Sequence, residues 1–208
     1  TIGANAVFGS GAASNYTVSY ADNPSGLAVT QRPLTLTPDG VSRLYGDANP
    51  LSGTATGNNL VNGDHIASLT LASVATATSN VGSYLTSGSD AVFGSGLASN
   101  YTITYAGNAT GLAIEPRPVS VAAQPGQFKF AGQNDPAFSY AVTGGNLVFG
   151  DAISGTLVRD PGEAPGAYPI GQGSLNLGAN YTIGFTGAPF TVTTPGSIAT
   201  IDRAIWMR

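Results

Sequence analysis

Hydrophobic and polar residues alternate along several short segments of the chain, which is the pattern of β-strands that bury one face. Tyr101, Ile103 and Tyr105 share one face of such a segment, and the threonines between them occupy the other. Residues 33–37 and 118–121 show the same alternation of aliphatic and hydroxyl side chains. No window of roughly 12 residues within the repeated part has the spacing of an amphipathic helix. The pattern therefore predicts an all-β fold.

These strand patterns occur in repeated blocks. The stretch AVFGSGAASNYTVSYADNPSGLAVTQRP at 6–33 returns as AVFGSGLASNYTITYAGNATGLAIEPRP at 91–118, and a more divergent copy lies at 178–193. A second marker, GNNLVNGDHIA at 57–67, matches GGNLVFGDAIS at 144–154. Repetition at the length of a small domain indicates a tandem array used as a spacer, because a catalytic site rarely needs adjacent near-copies of itself.

The repeats also divide the chain into domains. Arg32-Pro33 and Arg117-Pro118 each open a unit. We predict the C-terminal part of a preceding repeat at 1–31, repeat domain one (unit one) at 32–116, repeat domain two (unit two) at 117–194, and a tail or the start of a next element at 195–208. In this tail Ile198, Ile201 and Ile205 fall at helical spacing. A short helix and the first strand of a next element are the two interpretations.

Each unit contains roughly six to eight short strand patterns, which favours a small antiparallel β-sandwich of the immunoglobulin-like type. The alternative is a β-grasp-like unit, in which the segment at 59–62 grows into a packed helix. Tyr84 and Tyr168 each follow a glycine at the start of a predicted strand. We predict a tyrosine corner at both, with the ring packed and the hydroxyl bonded to the backbone. A sugar-stacking platform is the alternative role.

Composition limits the possible partners and chemistry. Charged residues make up 9% of the chain and the net charge is −4, so the surface lacks the clustered Lys and Arg that bind nucleic acid. The absence of cysteine excludes a disulfide scaffold and cysteine-based zinc sites, and it is typical of large exported bacterial proteins. No apolar run approaches the roughly 20 residues of a membrane span. We predict a secreted or cell-surface protein.

Four short motifs follow one another in unit one: Tyr45-Gly46-Asp47, the turn at 60–64, residues 81–84 and residues 100–102. Their order resembles the MBG domains with a Tyr-Gly signature. Unit two departs at the first motif, where Phe130-Ala131-Gly132 is aligned in its place. The resemblance implies stalk modules of large bacterial surface proteins, including filamentous-haemagglutinin-like adhesins exported by two-partner secretion. It also implies no catalytic residues.

The remaining residues offer little for catalysis. His65, the single histidine, is replaced by Ala152 in unit two, so neither a catalytic triad nor a multi-histidine metal site is shared by the units. We predict an exposed turn histidine. Glu115 and Glu163 are the only glutamates and occupy non-equivalent positions, which disfavours a glycosidase pair. The sequence predicts no enzyme and no cofactor.

Aspartates supply the one metal candidate. Asp64 and Asp151 occupy equivalent places after a turn glycine, where we expect the carboxylate to accept backbone N–H bonds. A calcium site is the alternative, because Asp39, Asp47 and Asp64 fall in one unit and can converge near an interdomain junction.

Three functions follow from these expectations. The first is a structural stalk, in which each unit has the neighbouring repeats as partners and the prolines at 116 and 118 restrict bending. The second is a module that binds host or matrix glycans or proteins through loops or exposed tyrosines. The third is a self-associating fibre subunit that pairs by strand addition. Polysaccharide hydrolysis is a fourth idea, and it requires Glu115 or Glu163 in a cleft.

Overall fold

A computed structural model of the chain describes residues 4–196. Its regular elements are fifteen strands and two short 3-10 helices, Ala13–Asn15 and Ala98–Asn100, with no α-helix among the described residues. The all-β prediction is confirmed. The packed helix of the β-grasp alternative is not formed at 59–62, where the chain makes a turn instead. The helix or strand expected around Ile198, Ile201 and Ile205 lies outside the described residues. No described helix is long and apolar enough to span a membrane.

Unit one contains eight strands in two sheets. The strands are β1 (Arg32–Pro38), β2 (Val41–Leu44), β3 (Ser52–Gly53), β4 (Ala55–Asn58), β5 (His65–Ser73), β6 (Gly82–Ser95), β7 (Tyr101–Tyr105) and β8 (Asn108–Glu115). One sheet has the order β4-β1-β7, and the other has the order β2-β8-β6-β5-β3.

Unit two repeats this arrangement with seven strands. They are β9 (Arg117–Ala123), β10 (Phe128–Phe130), β11 (Tyr140–Gly144), β12 (Val158–Arg159), β13 (Gly166–Gly171), β14 (Tyr181–Thr186) and β15 (Ala188–Thr193). The sheets have the orders β11-β9-β14 and β10-β15-β13-β12. Only the short β3 of unit one has no counterpart among the described strands.

Strand pairing is mixed, whereas the sequence suggested antiparallel pairing alone. The first two strands of each unit enter different sheets, and each pairs there in parallel with one of the last two strands. Thus β1 pairs with β7 and β2 with β8, and in unit two β9 pairs with β14 and β10 with β15. The beginning and end of each unit are therefore hydrogen-bonded side by side.

The alternating residues of these strands fill two hydrophobic clusters. The smaller cluster lies between the sheets of unit one and contains Leu34, Leu36, Ile66 and Tyr101. The larger one continues from unit one into unit two, with Tyr45, Leu112 and Ile114 on one side and Val119, Val121, Phe190 and Val192 among its members on the other. Pro116 alone separates β8 from β9. Buried apolar surface thus runs across the boundary between the units.

Both predicted tyrosine corners are present. The hydroxyl of Tyr84 donates to the carbonyl oxygen of Asn80 at 2.8 Å, and that of Tyr168 donates to the carbonyl oxygen of Ala164 at the same distance. Both rings are half-buried and pack against the larger hydrophobic cluster. The two tyrosines therefore fix the entry to β6 and β13, as the prediction requires.

Residues 4–31 differ from their repeat at 89–116. They contain one 3-10 helix and no strand in the part that the structure describes. Leu27 and Val29 are 75% and 89% exposed, whereas the equivalent Leu112 and Ile114 in β8 are 1% and 2% exposed. The same apolar pattern is buried in one copy and exposed in the other.

Candidate functional site

The Tyr-Gly-Asp turn at residues 45–47 packs against unit two. We call the contacts between the two units the junction. The turn follows β2 directly, and the backbone N–H of Tyr45 donates to the carbonyl oxygen of Glu115 at 2.9 Å, which extends the pairing of β2 with β8. The Tyr45 ring is 6% exposed. It meets the rings of Tyr181 and Phe149 of unit two edge-on, with centroids 5.5 Å and 5.8 Å away. This geometry is favourable for aromatic pairs.

Gly46 lies directly over Val148. Its φ of +90° favours glycine. A Cβ at this position would lie 2.8 Å from Cγ2 of Val148. Any larger residue would therefore strain the turn and push the two units apart.

Arg117 completes the junction from the side of unit two. Its Nε donates to the carbonyl oxygen of Tyr45 at 2.6 Å, and Nη1 donates to Oδ1 of Asn146 at 3.1 Å. Nη2 makes an ion pair with the carboxylate of Asp47. The Arg117 side chain is 13% exposed and that of Asp47 is 48% exposed, so solvent screens the pair in part. The guanidinium thus holds both the backbone and the carboxylate of the turn.

Asn180 supplies a second group of contacts between the units. Its Oδ1 accepts the backbone N–H of Val81 at 2.9 Å, and its Nδ2 donates to Oδ1 of Asn80 at 2.9 Å. Its own carbonyl oxygen accepts the N–H of Arg117 at 2.9 Å. One asparagine therefore links the loop before β6 to the start of β9.

Each unit contains a tyrosine–aspartate pair. The hydroxyl of Tyr181 donates to Oδ2 of Asp151 at 2.7 Å and accepts the N–H of Val148 at 3.0 Å. In unit one the hydroxyl of Tyr101 donates to Oδ2 of Asp64 at 2.7 Å. Hydrogen bonding to Asp64 raises the pKa of Tyr101, and burial raises the pKa of Tyr181. Both hydroxyls therefore stay protonated as donors.

This pair corrects the expectation for the two aspartates. The carboxylates of Asp64 and Asp151 accept from tyrosine hydroxyls, not from backbone N–H groups. Their own backbone N–H groups close the turns by donating to Val61 and Val148. The sequence contained a signal for the pair, because the Leu-Val-X-Gly-Asp and Asn-Tyr-Thr motifs recur together in both units.

The strand register also corrects the alignment of the Tyr-Gly motif. Arg43 lies opposite Ile114, and Lys129 lies opposite the equivalent Val192. The counterpart of the Tyr-Gly-Asp turn is therefore Ala131-Gly132-Gln133 and not Phe130-Ala131-Gly132. Both turns close with the same hydrogen bond, from the third turn residue to the last residue of the preceding strand, at 3.1 Å. Unit two keeps the glycine and lacks the tyrosine and the aspartate.

Beside this second turn, unit two contains a charged cluster. Lys129 and Arg159 are buried and contact the same two carboxylates, those of Asp135 and Glu163, at 2.6–2.8 Å. The bond to Arg159 lowers the pKa of Asp135, and the bond to Lys129 lowers the pKa of Glu163. Glu163 is thus held ionised and is unsuited to donating a proton in glycoside hydrolysis.

The three calcium candidates have separate partners. Asp39 accepts from the hydroxyls of Thr54 and Thr56 at 2.6 Å and 2.8 Å, and the bond from Thr54 lowers its pKa. Asp47 pairs with Arg117, and Asp64 with a tyrosine. No group of three or more metal-ligating His, Asp or Glu side chains occurs within residues 4–196. The suggested convergence at the junction does not take place there.

The other two candidates lie at strand ends. His65 is exposed at the first residue of β5, with Nδ1 2.9 Å from Oγ of Ser95. Glu115 is exposed at the last residue of β8, where its carbonyl oxygen accepts from Tyr45. The Ser95 hydroxyl donates to the carbonyl oxygen of Gly63 at 2.7 Å, so it is held at the turn before β5. The junction, by contrast, brings polar and aromatic side chains of both units together.

Comparison with known proteins gives one match. The sequence model of a family described as MBG domain, YGX type, matches residues 34–110 and 119–191. No curated protein and no solved structure matches the chain. One matched segment lies within the predicted bounds of unit one and the other within those of unit two.

Proposed function

The chain belongs to the MBG domain family of the YGX type, and on that basis we propose that it is a stalk or display region of a bacterial surface adhesin. MBG domains are structural repeat domains that occur in surface proteins. In this proposal the units are spacers that hold another part of the protein away from the cell. The observation that carries the proposal is the junction, which fixes one unit against the next.

Two features of the junction support a stiff spacer. One residue, Pro116, connects β8 to β9, and a proline restricts the backbone at such a position. The aromatic contacts of Tyr45 and the hydrogen bonds of Arg117 and Asn180 join the two units at further points. Because several contacts would have to break together for the units to bend, the units keep one relative orientation.

The chemistry of the described residues supports the same proposal. The buried cations Lys129 and Arg159 are paired with carboxylates, and buried Arg43 donates to Asn49 and to the carbonyl oxygens of Leu44 and Thr76. Groups that are satisfied within the protein stabilise it and are not available for a substrate. Binding of host or matrix glycans by the units is the alternative proposal.

Residues 5–31 also enter this proposal. Because residues 5–31 match 90–116, we assign them to the last part of another unit of the same kind. This assignment makes the described junction one of a series.

The stiff spacer can be tested by small-angle X-ray scattering on the whole chain and on the variant Tyr45→Ala. We expect an elongated particle for the parent chain and a broader range of dimensions for the variant. A parent chain whose scattering requires freely rotating units would contradict the proposal.

The surface location requires a separate test. Antibodies against the chain should label intact cells of the source bacterium, and brief protease treatment should remove the label. A label that appears only after the cells are lysed would contradict a surface location. Saturable binding of the chain to members of a glycan array would favour the glycan-binding alternative.

A further inference from the structure

Unit one carries a second copy of the surface on which the Tyr-Gly-Asp turn docks. We call the turn's contacts on unit two the acceptor surface, formed by Arg117, Asn146, Val148, Phe149 and Tyr181. The sequence repeats place Arg32, Asn59, Val61, Asn62 and Tyr101 at the equivalent positions of unit one. Four of the five residue types are identical, and only phenylalanine is replaced by asparagine.

The geometry of this second acceptor surface is retained as well. Arg32 lies opposite Tyr101 in the β1–β7 pair, as Arg117 lies opposite Tyr181 in the β9–β14 pair. The N–H of Val61 donates to the Tyr101 hydroxyl at 3.3 Å. The supporting tyrosine–aspartate pair is therefore already assembled on unit one.

On unit one, however, this surface is open. It borders a cleft of about 350 Å³ whose walls include Arg32, Val61, Asn62 and Tyr101. The Arg32 side chain is exposed and takes part in none of the ion pairs within residues 4–196, whereas the guanidinium of Arg117 contacts Asp47 and two further oxygens.

The chain segment beside the cleft indicates what fills it. Residues 27–31 are the counterpart of the end of β8, and Gln31 holds them next to β7 through bonds to Ser99 and Thr102. At the described junction the Tyr-Gly-Asp turn arrives on β2, which pairs in parallel with β8. Leu27 and Val29 are exposed, and no such strand lies beside them in the part of the chain that the structure describes.

We propose that the acceptor surface of unit one binds the Tyr-Gly-Asp turn of the preceding unit, whose last part is residues 5–31. In that junction the tyrosine N–H donates to the carbonyl oxygen of Thr30, the glycine lies over Val61, and the aspartate pairs with Arg32. The proposal relies on the assignment of residues 5–31 to such a unit, and the experiment tests that assignment separately.

The experiment uses an extended chain, made by joining a copy of residues 32–89 to Asn5 of the full sequence. Hydrogen exchange at the amides of Leu27 and Val29 first reports whether the added unit folds. We expect strong protection in the extended chain and none in the parent chain.

Docking is then measured by a double-mutant cycle in the extended chain. One member is Arg32→Ala and the other replaces the added copy of Asp47 by alanine. The matched control is the cycle of Arg117→Ala and Asp47→Ala at the described junction. We expect both pairs to couple by about fivefold in the unfolding equilibrium constant. Protected amides at Leu27 and Val29 with no coupling to Arg32 would show that the unit folds without docking, and would overturn the proposal.

A second measurement applies if the added unit does not fold. A synthetic peptide of residues 41–50 is titrated into the parent chain and followed by NMR. We expect shifts at Val61 and Tyr101 that are lost with Arg32→Ala and with a peptide carrying Tyr45→Ala. The absence of these shifts would overturn the proposal. So would an Arg32-dependent dimer of the parent chain, because the occupant would then be a second copy.

Discussion

The turns after β2 and β10 have the same backbone but different side chains. Tyr45 and Asp47 of unit one correspond to Ala131 and Gln133 of unit two, while glycine stays in both with φ near +90°. Since unit two forms the same sheets without the tyrosine and the aspartate, these residues are not needed for the fold of a unit. Their contacts are with the next unit. The comparison shows that both turns need the glycine for its positive φ, whereas Tyr45, Asp47 and the close approach of Gly46 to Val148 serve the junction.

The buried cations near these turns differ in a related way. Arg43 of unit one donates to Asn49 and to two carbonyl oxygens, which are all neutral. The equivalent Lys129 contacts Asp135, which replaces that asparagine, and shares it with Arg159. One position of the fold is thus satisfied by neutral acceptors in unit one and by a charged network in unit two.

The largest effect is expected from Tyr45→Ala. It removes a buried ring and both aromatic contacts with unit two, so we expect the melting temperature to fall by roughly 10–20 °C. Differential scanning calorimetry should also separate the melting of the two units. The control Tyr105→Ala, in β7 away from the junction, should lower the melting temperature less and keep a single transition. If the two variants behave alike, the tyrosine of the motif has no special role at the junction.

Arg159→Ala should destabilise unit two by a smaller amount. The change leaves Asp135 and Glu163 with Lys129 alone and removes the cation–π contacts with Tyr168 and Phe190. We expect a fall in melting temperature of roughly 10 °C. The equivalent position in unit one is Ser73, and Ser73→Ala is the matched control, with a fall of only a few degrees. Equal effects would mean that the charged network contributes nothing specific to unit two.

The tyrosine–aspartate pairs can be compared directly with Tyr101→Phe and Tyr181→Phe. Each variant leaves an aspartate carboxylate without its hydroxyl donor, so we expect each to lower the melting temperature by about 5 °C. The loss should be slightly greater at Tyr181, because its hydroxyl also accepts the N–H of Val148 at 3.0 Å, whereas the equivalent bond from Val61 to Tyr101 is 3.3 Å long. Thermal unfolding followed by unit-specific NMR signals measures the melting temperature of each variant. A variant that is as stable as the parent chain would show that its hydroxyl is not important for packing.

The variant Thr86→Val is expected to stabilise unit one. Thr86 is 2% exposed, and its Oγ1 has no hydrogen-bond partner within residues 4–196, whereas unit two has Ile170 at the equivalent position. Thr86→Val removes the unsatisfied hydroxyl at nearly the same volume, so we expect about 1 kcal/mol of added stability, or about 4 °C. The reverse control, Ile170→Thr, should destabilise unit two. Loss of stability in Thr86→Val would show that the hydroxyl is satisfied in solution.

The smallest effect is expected from acid, which should lower the stability of unit two more than that of unit one. The pKa values of Asp135 and Glu163 are lowered in the folded protein. Their stabilising effect is therefore present above the unfolded values near 4 and is lost as the pH falls through the folded values. The neutral acceptors of Arg43 do not titrate there. Between about pH 5 and 3, unit two should lose more stability than unit one, and Asp135→Asn should reduce the difference. Thermal unfolding followed by NMR at each pH measures the difference in stability between the units.

Local patterns predicted much of the fold. The alternation at Tyr101, Ile103 and Tyr105 identified a strand correctly, and the glycine before Tyr84 and Tyr168 identified both tyrosine corners. These features depend on neighbours in sequence, such as the carbonyl four residues before each tyrosine. They can therefore be inferred without knowing the tertiary structure.

Features that depend on distant residues were not predicted. The parallel pairs β1–β7 and β2–β8 join segments about 70 residues apart, and no local pattern distinguishes them from antiparallel pairs. The bonds of Asp64 and Asp151 to tyrosines depend on the same pairing. The alignment of Ala131-Gly132-Gln133 was wrong by one residue because the aromatic side chain of Phe130 resembles that of Tyr45. The strand register instead places the buried cations Arg43 and Lys129 at equivalent positions.

The parallel pairing has a consequence for load applied along the chain. In each unit the first two strands run beside the last two in the same direction, so tension on the two ends pulls the paired strands past each other. The hydrogen bonds of such a ladder share the force and must rupture nearly together, whereas a hairpin peels open one bond at a time. Each unit is thus loaded in shear, and Pro116 passes tension straight from the last strand of one unit to the first strand of the next.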